Sequence, residues 1–430
     1  MNARHVVRRG AIIATAGLSV LALAACSNGG GGGGAPTSFS AFTNVENDAA
    51  QATLTALSTD ACSTENEALP LDIETVPQTN LDQQLQLRAG QGALPVLYSA
   101  GNAPALTKTL AESGNVADFE ELLTELDVID NVQPAAISTI EALYGGFNAL
   151  PFEYNIEGIW YNKAYFDEFG IAPPTTWDEL LDAAATLQEN DITPFSASGE
   201  QGWPLTRLIG NYLFRSIGPD ALQAVADGDA ELTDPEYVEA AQAVADLGAA
   251  GYFGQGVGSI TDDVATNQFL NGSAGMFYMG SWALSDFADE EQNQIGYDNI
   301  GFLPFPNVEG GGGDSSQIAA NVGLPITMNA RAVDDDTEAW ISCIAENWGS
   351  TALSEANRVS GFVVNEPVAD TPALTLEVQE RIADSEQAVL WFEALFSTAA
   401  TTTSQTNAAP LVSGSISAEE FMSLVQADLD

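Results

Sequence analysis

Residues 158–187 decide how the chain is to be read. Gly158-Ile159-Trp160-Tyr161-Asn162-Lys163 is followed by Phe166-Asp167-Glu168-Phe169-Gly170-Ile171-Ala172-Pro173-Pro174-Thr175-Thr176-Trp177-Asp178-Glu179-Leu180. The run around Trp160 reads as a strand. Thr176 with Glu179 three residues later is a capping box, and it precedes Leu180, Leu181, Ala184 and Leu187 at helical spacing. Trp160 and Trp177 are accordingly read as structural, one inside a strand and the other opening the apolar stripe of a helix.

Outward from this segment the alternation continues. Leu69–Val76 alternates apolar and polar residues and predicts a strand, as does the apolar run Leu94–Ala100. Leu81, Leu85 and Leu87 mark a helix between them, and Asp118–Leu126 predicts another with acids in its first turn. Asp234-Pro235 reads as an N-cap followed by proline at the first helical position. Ser417-Ala418-Glu419-Glu420 is a second capping box, opening a last helix with Phe421, Leu424 and Val425 inward. Gly310–Gly313 reads as a loop and Thr398–Thr406 as a polar surface loop. The fold class is therefore α/β. No repeat is visible. Trp340 and Trp348 flank Cys343 at helical spacing and read as core.

The 430 residues, 45% of them apolar, are enough for two cores of roughly 150–200 residues each. No Pro/Gly/Ser-rich linker divides them, which points to a chain that crosses between two lobes more than once. The net charge is −49, from 60 acidic against 11 basic residues. Such a field repels nucleic acid and anionic headgroups, so no nucleic-acid partner is expected. The only histidine is His5. Ser-His-Asp and Cys-His catalysis and His-based zinc sites are thereby disfavoured. No metal and no cofactor is expected.

Arg4, Arg8 and Arg9 precede an apolar stretch, Ala11–Ala25, that ends in Leu23-Ala24-Ala25-Cys26. At about 15 residues it is short for a membrane span of about 20. It reads as a signal peptide over 1–25 and resembles the lipobox of bacterial lipoproteins. The resemblance implies lipidation of Cys26 and a cell-surface protein anchored to the outer face of the cytoplasmic membrane. Residues 26–35, with Gly29–Gly34, form a flexible tether. Cys62 and Cys343 remain. They are either one bridge closing a loop of about 280 residues or two buried thiols.

Four segments accumulate after this leader: Tyr144-Gly145-Gly146-Phe147 through Pro151-Phe152-Glu153-Tyr154-Asn155 to Lys163; Phe166 to Leu180; Gly272-Ser273-Ala274-Gly275-Met276 through Gly280-Ser281-Trp282-Ala283-Leu284; and Ile300-Gly301-Phe302-Leu303-Pro304-Phe305-Pro306. In this order and spacing the chain resembles the family 1 extracellular solute-binding proteins of ABC importers. These are the relatives of maltose-binding protein, above all the sugar-binding lipoproteins of actinobacteria. The resemblance covers most of residues 36–430. It implies a two-lobed fold with an interlobe cleft and a hinge of several crossing segments. One lobe would be 36–153 plus 325–362, the other 158–321 plus 366–430, which puts Cys62 and Cys343 in the same lobe. It also implies a monomer that captures a carbohydrate, an oligosaccharide by expectation. That sugar would be delivered to ABC permease subunits, without catalysis by this chain.

A sugar presents an apolar face of C–H groups and a rim of hydroxyls, so its site needs aromatic plates and planar polar side chains. The resemblance assigns Trp282, at the start of a helix, as a stacking residue, and Trp203, in a loop-like segment, as a second. Trp391 lies where a late helix faces the cleft. Asn155 and Glu153 stand at the first hinge crossing. Asn44 and Glu46 follow the first strand, Ser38–Thr43, and Asn102 follows a later one, at the carboxyl ends where open α/β sheets bind ligands. Phe362, beside Gly361, stands at the third crossing. Ala100 and Ala103 replace a Trp and an Asp of the maltose-binding relative, which puts maltose itself in doubt. Gly254-Gln255-Gly256-Val257-Gly258 lacks the strand and helix of a dinucleotide fingerprint and reads as a loop. Asp334-Asp335-Asp336 reads as a solvated face. Two competing functions remain: the same fold taking a polyamine or metal cation, and a secreted glycosidase using paired carboxylates.

Overall fold

The computed structural model describes residues 35–429, apart from 46, 102, 103, 324 and 386. The signal peptide, Cys26 and the glycine tether lie outside the described residues, as do Glu46 and Asn102. The strands are β1 (Phe39–Asn44), β2 (Leu71–Val76), β3 (Leu97–Ser99), β4 (Asn155–Asn162), β5 (Thr193–Ser196), β6 (Ala274–Gly280), β7 (Ile300–Leu303), β8 (Gln317–Asn321), β9 (Ile326–Met328) and β10 (Gln387–Val389). Among the described residues no helix is long and apolar enough to cross a membrane.

Two sheets carry the fold. The first has the order β2-β1-β3-β9, with β2 and β3 parallel to β1 and β9 antiparallel to β3. β1 is interior to the sheet and buried on both faces, and each face carries a phenylalanine. On one face Phe39 stacks on Trp340 of the helix Asp335–Ala356, with ring centroids 4.6 Å apart. On the other, Phe42 packs with Leu81 and Leu85 of the helix Gln78–Gln91. The second sheet has the order β10-β8-β4-β6-β5, with β7 also paired to β4. β4 runs antiparallel to β6, β7 and β8.

The chain passes between the sheets repeatedly. It leaves the first at Leu150 to enter β4, returns from β8 to β9, and departs again after the helix Asp335–Ala356 toward β10. Asn357, left-handed with φ +47°, caps that helix and turns the chain so that Arg358 enters the third crossing.

Buried tryptophans hold the layers together, and three of them place the indole N–H on a backbone carbonyl. Trp160 donates to Met279, Trp340 to Leu69 and Trp348 to Phe152, each at 2.9 Å. Leaving such a group unpaired would cost about 1–3 kcal/mol. Cys62 and Cys343 are joined in a disulfide, with Cα atoms 5.8 Å apart. It ties the start of the helix Ser63–Ala68 to the middle of the helix Asp335–Ala356.

The Thr176–Glu179 capping box is formed, Thr176 Oγ1 accepting from the Glu179 amide at 3.3 Å. Two expectations need correction. Thr398–Thr406 is not a loop but the first half of the helix Thr398–Val412. Ser397 caps it, and its hydroxyls turn back onto its own carbonyls, as from Thr401 to Ser397 at 3.0 Å. Buried Ala400, Ala408 and Leu411 supply the packing that overrides the poor helix propensity of threonine. Leu424 is 40% exposed rather than inward, because the core covers only the Phe421 and Val425 stripe of the last helix.

Candidate functional site

A cleft of about 440 Å³ lies where the crossing segments meet the two sheets. Its wall from the first sheet is polar: Asn44 ends β1, and Asn47 and Asp48 begin the next helix, Asp48–Thr59. Its wall from the second sheet side is aromatic: Trp203, Trp282 and Trp391. Glu153, Asn155, Asn321, Gly323 and Arg358 come from the crossings and the strand ends beside them. Thus Trp282, Trp203, Trp391, Asn155, Glu153 and Asn44, six of the residues expected from sequence, are brought to one cavity.

Phe362 is not. It is 1% exposed and packs against Phe152 and Trp348, bordering a separate cavity near Gln133 and Ile382. The adjacent Gly361 sits against Pro151 and Ala136, which seats this stretch of the crossing on the helix Pro134–Tyr144. Two other settings differ from expectation. Trp203 is the first residue of the helix Trp203–Ser216 rather than part of a loop, and Trp391 lies in a turn after β10 rather than on a helix.

Local backbone chemistry aims these rings. Gly202 has φ +74°, and a Cβ there would stand 1.9 Å from the carbonyl oxygen of Gln405. Only glycine starts the Trp203 helix in this place. Trp203 Nε1 donates to Asp262 Oδ2 at 3.3 Å. Burial pushes the Asp262 carboxyl up, and the bond from Trp203 counters it. Trp282 follows β6 on a short 3₁₀ turn, Ser281–Ala283. Its own carbonyl accepts from Arg358 Nη1 at 2.8 Å. Trp203 and Trp282 stand 5.8 Å apart with planes tilted by 59°.

The amides are held as firmly. Asn155 and Asn321 face each other in register across β4 and β8. Asn155 Oδ1 accepts from Ser281 Oγ at 3.1 Å, and its Nδ2 donates to Glu153 Oε2 at 3.3 Å. Asn321 Nδ2 donates to Glu157 Oε1 at 2.7 Å.

Arg207, one helical turn after Trp203, lies beneath the aromatic wall. Its guanidinium carbon is 5.4 Å from the Trp203 ring and 5.1 Å from the Trp391 ring. Its Nη1 donates to Glu157, and its Nε lies 4.0 Å from Glu393 Oε2. Both carboxylates are buried. Tyr278 also donates to Glu157, at 3.0 Å, and Ser404 to Glu393, at 3.2 Å. Burial opposes the charge on Arg207, but Glu157 and Glu393 outweigh it and its pKa is raised. Burial raises the pKa of Glu393, with Arg207 opposing.

Sequence reasoning missed Arg207, Asn321, Arg358, Asn47 and Asp48. Arg207 was within reach: a helix starting at Trp203 puts residue 207 on the same face. Asn321 was not, since its place follows from strand register alone.

The chain belongs to the bacterial extracellular solute-binding protein family, whose profile matches residues 64–348. A probable sugar-binding periplasmic protein of Rhizobium meliloti (strain 1021) is 29% identical over 51% of this chain and 55% of its own length. This chain thus spans about half the length of that relative. An sn-glycerol-3-phosphate-binding periplasmic protein of Pectobacterium atrosepticum is 24% identical over 70% of this chain and 71% of its own. Among solved structures, a chitin oligosaccharide binding protein superposes with a TM-score of 0.76, covering 92% of this chain and 98% of its own at 26% identity. A protein studied for xylan utilization by Caldanaerobius polysaccharolyticus gives a TM-score of 0.78 over 91% and 100% at 20% identity. These likenesses establish the two-lobed solute-binding fold.

Proposed function

We propose that this chain is the carbohydrate-capturing component of an ABC importer, taking an oligosaccharide in the cleft and presenting it to a membrane permease. The observation that carries the reading is the convergence of Trp203, Trp282 and Trp391 on one cavity with the side-chain amides of Asn44, Asn47, Asn155 and Asn321. Flat rings match the C–H face of a pyranose, and planar amides match vicinal hydroxyls. The names of the relatives, sugar-binding and chitin-oligosaccharide-binding, run the same way. In this reading the lobes, 36–153 with 325–362 and 158–321 with 366–430, close over the ligand about the crossing segments. The chain does no chemistry on the sugar. A lipid on Cys26 holds the monomeric protein at the outer face of the membrane, beside its permease.

A thermal-shift screen of the protein tests this, using xylo-, chito- and raffinose-type oligosaccharides, monosaccharides, polyamines and divalent cations. A ligand that binds only the folded state raises the midpoint by mass action. A shift confined to oligosaccharides is expected. A shift with polyamines or cations alone would overturn the carbohydrate reading.

A further inference from the structure

The cleft holds two cations, Arg207 and Arg358, and a family relative that binds a phosphate ester raises the question of what they recognise. We propose that Glu157 and Glu393 silence Arg207, making the cleft selective for uncharged over anionic carbohydrate. The inference rests on the carbohydrate reading above and adds the charge class of the ligand.

The argument is one of charge and of occupied faces. Arg207 is the hub of a buried cluster in which two carboxylates meet one guanidinium. That guanidinium also lies over the Trp203 and Trp391 rings. Glu157 is itself fixed by Asn321 and Tyr278, and Glu393 by Thr206 and Ser404. These bonds prevent either carboxylate from turning away to release the arginine. Arg358 is engaged as well. Its Nη1 is bonded to the Trp282 carbonyl, and its charge acts on Asp286, whose carboxyl burial pushes up and Arg358 draws down. The remaining charged side chains on the cleft wall are acids, Asp48 and Glu153. A carboxylate or phosphate entering here meets an Arg207 already paired to Glu157, with the acids Asp48 and Glu153 on the same wall as like charge. A neutral ring loses nothing from this arrangement, because Arg207 then acts only as packing beneath the Trp203 and Trp391 plates. Glu157 and Glu393 are therefore positioning and specificity residues rather than ligand contacts.

The test is calorimetric titration of the intact protein with neutral xylotriose, diacetylchitobiose and raffinose against trigalacturonate and glycerol 3-phosphate. The expected result is at least about a hundredfold preference for a neutral oligosaccharide, shrinking as salt is raised. In Glu157→Gln/Glu393→Gln the gap should narrow by about tenfold or more, mainly through tighter binding of the anion. Loss of a merely structural role would weaken both ligand classes together. Should the double variant not fold, the native comparison and Glu393→Gln alone decide the matter. Comparable binding of neutral and acidic sugars overturns this inference while leaving the carbohydrate reading intact. Binding of glycerol 3-phosphate alone, or of no oligosaccharide, overturns that reading and this inference with it.

Discussion

Trp203 and Trp282 stand with ring centroids 5.8 Å apart and planes tilted by 59° on the same wall of the cleft. They come from different elements, the start of a helix and the turn after β6. With Trp391 they make the second-sheet side of the cavity aromatic, while Asn44, Asn47 and Asp48 make the first-sheet side polar. The walls divide the two surfaces of a sugar ring between them.

Removing either plate should cost binding without cost to the fold, since both rings are only partly buried. For Trp282→Ala and Trp203→Ala we expect at least about tenfold weaker affinity for the oligosaccharide, of the size of one aromatic stacking contact. Calorimetry on variants with native circular dichroism measures it. Unchanged affinity would remove that ring from the site.

Gly202→Ala should disturb the site indirectly. A Cβ at φ +74°, 1.9 Å from the Gln405 carbonyl oxygen, cannot be accommodated without moving the start of the Trp203 helix. We expect a stability loss of about 1–3 kcal/mol together with weaker ligand binding. Denaturant unfolding and calorimetry would both have to match the parent protein for this to be wrong.

The Cys62–Cys343 disulfide should matter for stability and little for binding, because neither residue lines the cleft. A sequence separation of 281 makes the unfolded chain much less constrained once the bond is reduced. A loss of about 2–5 kcal/mol is expected on reduction or in Cys62→Ala/Cys343→Ala. Thermal unfolding with and without dithiothreitol reads it out, and equal midpoints would contradict the bond's role.

Glu179 gives a pH signature. It accepts from the Thr175 amide and hydroxyl, each at 2.8 Å, and from the Thr176 amide, which holds its carboxyl below the ordinary value of 4.5. The unfolded chain therefore takes up the proton more readily than the folded one. The contribution is full above pH 4.5 and is lost as pH falls below it. Glu179→Ala should lower the unfolding midpoint at pH 7, with the difference from the parent closing toward pH 3. A difference independent of pH would show that the capping carboxylate is not its source.

The amino-acid sequence by itself determined the α/β alternation, the capped helices, the structural tryptophans at 160, 177, 340 and 348, and the family. The elements rest on local periodicity and on caps whose partners lie within a few residues, and the tryptophans on their place in those patterns, although the groups they pack against are distant in the chain. The family resemblance carried by the sequence also pointed to the aromatic wall, Trp203, Trp282 and Trp391. Tertiary structure alone decided the rest. Thr398–Thr406 became helix because the core reached Ala400 and Ala408, a long-range effect that outweighs propensity. Phe362 turned into the packing around Trp348, because a residue at a crossing can face either way until its neighbours are in place. Asn321 joined Asn155, and Arg207 met Glu157 and Glu393, through strand register and helix packing between residues far apart in the chain. Such pairings leave no periodic trace in a sequence, because they arise only when the two sheets and their crossings have assembled.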